Sequence, residues 1–357
     1  MSKSKNRLFI IVGAIGLIAL LCFICFGKCA SRLGYHDFEV GGIYYKIVDD
    51  ISRIVKVSYK GSDWEDYDQE YRDTIVIPDI VTYKHRDYRV TEIGDNAFRN
   101  CSAITSITIP ASVWLIGSGA FDGCEALKEI HINDLSAWCE MSFWDILDDI
   151  GGSPFHYADE LYLNGELITD LVVPEDVTDI GAHAFEGYEK LRSVVLHNGI
   201  EAIYKSAFLN CTNLTSINIP KDIYYIGPYA FDGTFWYDNL PDGEVYAGKH
   251  LYKYKGEMQS NTSIVVREGT ETICESAFDC RAELTSITLP SSLMCIHNYA
   301  FNDCVNLKEI YFKGLTPPYL NSYYNNFHDD AVIYVPKGTQ EIYKQDSHIF
   351  ENVVEIF

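Results

Sequence analysis

The residues best suited to chemistry are cysteines at a fixed spacing. In "DNAFRNCSAITSITIP" (95–110) an Ala-Phe pair is followed three residues later by Cys101, and Cys124, Cys211 and Cys304 take the same place after Phe121, Phe208 and Phe301. A thiol so placed can be a nucleophile, a metal ligand or half of a disulfide. Equivalent positions argue against the first two. Tyr188 and Thr234 occupy the slot in other copies, and Cys280 stands one position early. No CxxC or paired-His spacing occurs among the repeat thiols. The pattern predicts buried thiols packed as small hydrophobes. Disulfides between neighbouring copies are the alternative in an oxidising compartment.

Other catalytic signatures are absent from the sequence. It has no GxSxG, HExxH, Walker-type or dinucleotide glycine pattern. His131, His183, His197 and His297 are scattered near strands and turns, as exposed histidines on a repeat would be. The acidic stretch "SDWEDYDQEY" (62–71) lacks the twelve-residue calcium-loop spacing and reads as a solvated loop. No catalytic residue, cofactor or metal is expected. The sequons at Asn100, Asn210 and Asn213 fall out of the repeat pattern, and only Asn261 stands apart from it.

The elements that must position these residues repeat. The Ala-Phe pair recurs at Phe98, Phe121, Phe185, Phe208, Phe231, Phe278 and Phe301, and four of the six gaps are 23 residues. Five positions before each Phe stands an Ile: Ile93, Ile116, Ile180, Ile203, Ile226, Ile273 and Ile296. Eight before it the residue is aliphatic except at Thr270. Phe98, Cys101 and Ile104 are three apart, which predicts a short helical turn. Ile107 and Ile109 are two apart, which predicts a strand with one buried face. "TSITIP" (105–110), "TSINIP" (215–220) and "TSITLP" (285–290) are near copies, each ended by a proline that cannot donate to a ladder. One unit cannot bury its own apolar face. The expected fold is therefore a repeat solenoid, β-rich with short helical turns and one parallel sheet along one side.

"VTEIGDNAFRNCSAITSITIP" (90–110) and "IEAIYKSAFLNCTNLTSINIP" (200–220) resemble the leucine-rich repeats of BspA-type bacterial surface proteins, and the resemblance covers roughly 38–357. It implies a cell-surface or secreted protein that takes part in adhesion to host matrix proteins or other cells. The strands end in Ile-Pro and lack the Asn usual in leucine-rich repeats, which puts the standard horseshoe curvature in doubt.

Two segments break the period. Excess residues lie near 133–161, where "LSAWCEMSFW" (135–144) suits a short amphipathic helix and Asn164-Gly165 a hairpin turn. Near 232–262, "PDGEVYAGKHLYKYKG" (241–256) alternates around an expected Asp242-Gly243 turn. Either segment is local repair of the stack or a binding bulge. Strand-like alternation over 34–89 predicts an N-terminal cap, and 90–315 forms the solenoid. Residues 316–357 form a C-terminal cap, with "TPP" (316–318) ending the regular stack and 331–344 giving a last strand and short helix.

Residues 1–33 are a separate object. They hold five basic and no acidic residues around an uncharged run from Leu8 to Gly27. That run matches a bilayer core of about 30 Å. It reads as an uncleaved membrane anchor, with a cleaved signal sequence the alternative, and the basic flank puts the body outside the cytoplasm. Leu21, Ile24 and Lys28 precede Cys22, Cys25 and Cys29, where lipidation would want a small residue. Acidic residues outnumber basic ones 51 to 28, giving a net charge of -23, which disfavours nucleic acid as a partner.

What remains is a surface. If Ile107 and Ile109 point inward, then Ser106, Thr108, Glu129, His131, Ser193, Ser216, Asn218, Ser286, Thr288, Glu309 and Tyr311 line the exposed strand face. The expected function is adhesion or protein–protein interaction with an extracellular protein ligand through that face. The alternatives are an envelope glycan-binding module using Trp138, Trp144 and Trp236, and a spacer that binds nothing.

Overall fold

The computed structural model describes residues 36–60, 71–143, 153–320, 327–328, 330–346 and 352–356. The anchor expected in 1–33, the acidic loop over 62–70 and Trp144 lie outside these residues. Among the described residues no helix is long and apolar enough to cross a membrane.

The repeat builds a solenoid whose rungs pair in parallel. Its long strands form the expected face in three ladders. The first runs through Arg72–Val76, Ala103–Ile109, Glu129–Ile132 and Glu160–Leu163. The second holds Asp170–Val172, Ser193–Val195 and Ser216–Asn218. The third holds Thr262–Val265, Leu284–Leu289, Glu309–Phe312, Val332–Pro336 and Val353–Ile356. A second set of parallel ladders, not expected from sequence, forms where the invariant Ile stands. Its rungs are two-residue strands such as Leu115–Ile116, Ala202–Ile203, Tyr225–Ile226 and Cys295–Ile296. Every one of the seven Ile is buried.

The segment around each Phe is not a helical turn. It is a hydrogen-bonded turn bracketed by two left-handed residues. Two before the Phe these are Asn96, Gly119, His183, Ser206, Tyr229, Ser276 and Tyr299; two after it they are Asn100, Gly123, Gly187, Asn210, Gly233, Cys280 and Asp303. Asn, Asp and Gly tolerate this region best, which explains their share of these slots. The turned backbone then donates to the next rung: Phe98 N–H to Ala120 O (2.8 Å), Phe208 N–H to Ala230 O (2.9 Å) and Phe278 N–H to Ala300 O (2.7 Å). These bonds stack the rings, with Phe185 and Phe208 at 5.5 Å and 5° and Phe278 and Phe301 at 5.3 Å and 6°.

Both irregular segments are rungs in altered form. Leu135–Cys139 is a helix capped by Asp134, and Trp138 is fully buried in it, donating from Nε1 to Ala184 O at 3.1 Å. Ser142–Phe143 then pairs with Leu115–Ile116, and the ring of Phe155 stacks on Tyr188 at 4.6 Å. The chain at Met141 passes so close to Gly181 that an added Cβ there would collide with the Met141 carbonyl. The hairpin at Asn164-Gly165 is as expected, with Leu163 opposite Glu166 and both turn residues left-handed. The second hairpin turns elsewhere. Its strands are Gly243–Ala247 and His250–Lys255, so the turn is Gly248-Lys249 and not Asp242-Gly243. Gly248, at φ 61, supplies the positive φ that a two-residue turn needs. At the C-terminus the stack runs past "TPP": Tyr319–Leu320 pairs with Cys295–Ile296, and the last strand is Val353–Ile356, after the helix Gln340–Asp346.

Strand His250–Lys255 divides the interior. Leu251 packs into a core shared with Ile273 and Ile296, whereas Tyr252 packs with Phe231 and Cys274 in the core of the preceding rungs. The two stacks lean together at this strand. Tyr225 from the first meets His297 from the second edge-on at 5.3 Å. Burial and the neighbouring His250 push His297 down to about 4 from 6.5, so it is neutral at pH 7.

Two outcomes are expected. Phe208→Ala removes one ring from a continuous stack and should lower unfolding stability by about 3–5 kcal/mol in chemical denaturation. His297 binds its proton more readily unfolded than folded. Its contribution is therefore complete above pH 6.5 and falls by ~3 kcal/mol as pH drops towards 4. Denaturation at pH 7 and pH 4.5 should show a smaller acid loss in His297→Gln than in the parent chain. Equal losses would rule out His297 as the titrating group.

Candidate functional site

The exposed long-strand face is the surface the sequence singled out, and the register shows what lies side by side on it. One outward column holds Thr74, Ser106, Glu129 and Glu160, then Asp170, Ser193 and Ser216, then Ser263, Ser286, Glu309 and Val332. The second holds Val76, Thr108, His131 and Tyr162, then Val172, Val195 and Asn218, then Val265, Thr288, Tyr311, Tyr334 and Val354. The face is interrupted after the first and second ladders, so its residues do not lie on one continuous sheet.

Ser106 departs from expectation. It is only 7% exposed, because its small side chain lies in register between Thr74 and the longer Glu129. The other expected residues are exposed or half-buried. Several are tied down locally. Ser286 Oγ donates to Ser263 Oγ at 2.8 Å. Asn218 accepts from Leu196 N–H and donates to Leu196 O, both at 2.8 Å, which satisfies backbone at the ladder's edge. Ser193 donates to Asp170, joined there by Arg192 at 2.6 Å. These bonds hold the Asp170 carboxyl below its ordinary range.

Sequence reasoning missed the second partner of each aromatic group. His131 stacks on Tyr162 with centroids 4.9 Å apart and planes at 11°. Tyr311 stacks on Tyr334 at 4.6 Å and 12°. Each group has a carboxylate two residues earlier on the same strand. Glu129 lies 3.1 Å from His131 Nε2, the Tyr162 hydroxyl donates to Glu160 at 2.8 Å, and that of Tyr311 to Glu309 at 3.1 Å. The hydrogen bond to Glu160 raises the Tyr162 hydroxyl above its ordinary range. The available signal was "EIH" (129–131), "ELY" (160–162) and "EIY" (309–311), a Glu and an aromatic on one face of a strand. The exposed valines Val76, Val172, Val195, Val265 and Val354 were also legible as outward positions.

The cysteines are structural. Cys124, Cys211 and Cys304 are buried and donate their thiols to the Phe carbonyl of the preceding rung: Phe98 O at 3.1 Å, and Phe185 O and Phe278 O at 3.0 Å. Burial pushes the Cys124 and Cys304 thiols up to about 12, far from a reactive thiolate. None of the described cysteines forms a disulfide. Cys280 is exposed because its early position falls on the left-handed slot, and its Sγ lies within 4.8 Å of carboxylate oxygens of Asp279 and Asp303. Those carboxylates raise its thiol above the ordinary range.

Of the tryptophans expected to meet a glycan, Trp138 is fully buried and spent on core packing. Trp236 is half-buried with its ring edge-on to Phe231 at 5.3 Å.

A rigid β-solenoid of 23-residue rungs, with a graded exposed strand face and thiols used as packing, defines a leucine-rich-repeat protein. The chain belongs to the BspA-type leucine-rich-repeat family, whose model matches six copies over 85–146, 158–240 and 249–356. It is similar to a leucine-rich cell surface protein of Faecalibacterium prausnitzii, with 23% identity, 92% of this chain and 96% of that one covered, and a TM-score of 0.39. A leucine-rich repeat protein of Bacteroides ovatus aligns at 20% identity over 90% of this chain and all (100%) of its own, with a TM-score of 0.29. The pneumococcal vaccine antigen PcpA aligns at 15% identity over 92% and 100%, with a TM-score of 0.33. No curated protein matches the chain.

Alkylation should separate the thiols. Under native conditions Cys280 should react with iodoacetamide and be mapped by mass spectrometry, while Cys101, Cys124, Cys211 and Cys304 should stay unmodified until denaturant is added. Native labelling of the four repeat thiols would contradict their role in packing.

Proposed function

We propose that this protein is a cell-surface adhesion module that binds an extracellular protein, on host matrix or another cell, through its long-strand face. Binding is multipoint and non-covalent. The observation that carries this reading is the face itself, which sets exposed valines and stacked aromatics in register beside hydroxyls and carboxylates on a scaffold fixed by ladders. Rigid presentation lowers the ordering cost of association. Residues 1–33 would hold the body at the membrane, outside the cytoplasm, with 34–89 and 316–357 capping a solenoid over 90–315. Burial of the repeat thiols, which pushes those of Cys124 and Cys304 up to about 12, supports a binding role over an enzymatic one. Burial of Trp138 removes the main support for a glycan site in the insertions.

The test is capture of soluble matrix proteins on immobilised residues 34–357. A saturable protein ligand is expected, and Val195→Asp, which charges the centre of the face, should weaken it by about fivefold or more. Capture that survives Val195→Asp and Val265→Asp unchanged would remove the strand face as the binding surface.

A further inference from the structure

We propose that the strand face recognises a cationic, extended protein segment, and that it does so at two matching subsites. This inference rests on the protein-binding reading of the face and names the chemistry of the partner. The first subsite is Glu160 and Tyr162 with His131 and Glu129; the second is Glu309 and Tyr311 with Tyr334. Each combines a stacked aromatic pair with a carboxylate held beside it by the tyrosine hydroxyl.

Three observations point to a cation. The two outward columns contain no Lys or Arg at any described position, although four carboxylates stand in them. Of these four, Asp170 is neutralised by Arg192 and Glu129 faces His131. Glu160 and Glu309 have no basic partner among the described residues; their bonds are to tyrosine hydroxyls, which leave the carboxylate charge in place. Second, the ring faces beside them carry the negative quadrupole that attracts Lys and Arg. Third, the molecule uses the same combination internally. Lys253 sits 4.9 Å over the ring of Tyr229 while pairing with Asp232, and Arg267 lies 4.1 Å over Tyr246. A net charge of -23 draws a basic partner from a distance as well.

The geometry also sets the form of the partner. The subsites lie in different ladders, so one compact cation cannot fill both. An extended segment with spaced Lys or Arg can, and the exposed Val172, Val195 and Val265 offer apolar contact between them.

The experiment measures binding of the full chain to a synthetic peptide with Lys at alternate positions and to its Gln-substituted analogue. Saturable binding of the Lys peptide, weakened at high salt and absent for the analogue, is expected. Glu160→Gln and Glu309→Gln should each weaken it by about five- to tenfold, Tyr334→Ala by a similar factor, and Tyr311→Phe much less because the ring remains. Trp114→Ala, an exposed change away from this face, should leave it unaltered. Equal binding of both peptides, or full binding by the doubly substituted Glu160→Gln/Glu309→Gln chain with an unchanged melting temperature, would overturn the inference. So would a neutral glycan displaced by the same substitutions. A matrix protein that is captured, lost on Val195→Asp and indifferent to salt and to both Glu→Gln changes would overturn the cationic partner while leaving the strand-face reading in place.

Discussion

The stacking of this molecule depends on the hydrogen bond that Phe98, Phe185, Phe208 and Phe278 each donate from N–H to the Ala carbonyl of the next rung, a place taken at Phe231 by the Tyr252 hydroxyl. It forms only because the backbone turns left-handed on both sides of the Ala-Phe pair, which swings the amide out of its own rung and towards its neighbour. Once that bond is made, the rings stack at van der Waals spacing and the invariant Ile residues fall into line. The repeat thiols then reach the carbonyl one rung back. A repeat protein gains its stability from such nearest-neighbour terms, since no unit can bury its apolar side alone. The cysteine is therefore part of the same device as the Phe. It is small enough for the slot and carries a weak donor for a carbonyl that would otherwise have one partner fewer.

Irregularity in this chain is handled by substitution within the stack. The enlarged rung around Trp138 still supplies a short strand, an aromatic at the turn and a long strand. The hairpin at 243–255 does the same with Tyr254 set against Phe278. The second case has a larger consequence, because its strand presents alternate residues to two different cores. Period-two alternation makes a strand able to face two ways, and the solenoid uses this to begin a second stack against the first.

The ladders leave one face largely outside the hydrophobic core. Its outward side chains stand apart from the Ile and Phe core, so most of them can vary from rung to rung at little cost to the fold, Asn218 with its bonds to Leu196 being an exception. On this chain that freedom has produced two outward columns with no lysine or arginine among the described residues and with two copies of a carboxylate beside stacked rings. The order of the elements matters here. Rigid strands hold Glu and Tyr two residues apart on one side, and the next rung brings the second ring into place.

The sequence by itself determined the parts that repeat at short range. The 23-residue spacing, the inward Ile and Phe, the buried Cys slot, the Asn164-Gly165 turn and the alternation of the long strands are all legible, because each follows from a local period or a single turn chemistry. Tertiary structure decided the rest. The left-handed slots show in sequence only as a loose preference for Asn, Asp and Gly, which Tyr229 and Ser206 ignore. Trp138 looked available for a ligand, but its indole is held by a carbonyl 46 residues away at Ala184. Tyr162 and Tyr334 gain their meaning only from the rings beside them, and Ser106 loses its exposure only because Glu129 stands next to it. Such contacts join residues whose separation follows no simple period once insertions intervene, so only the folded register reveals them.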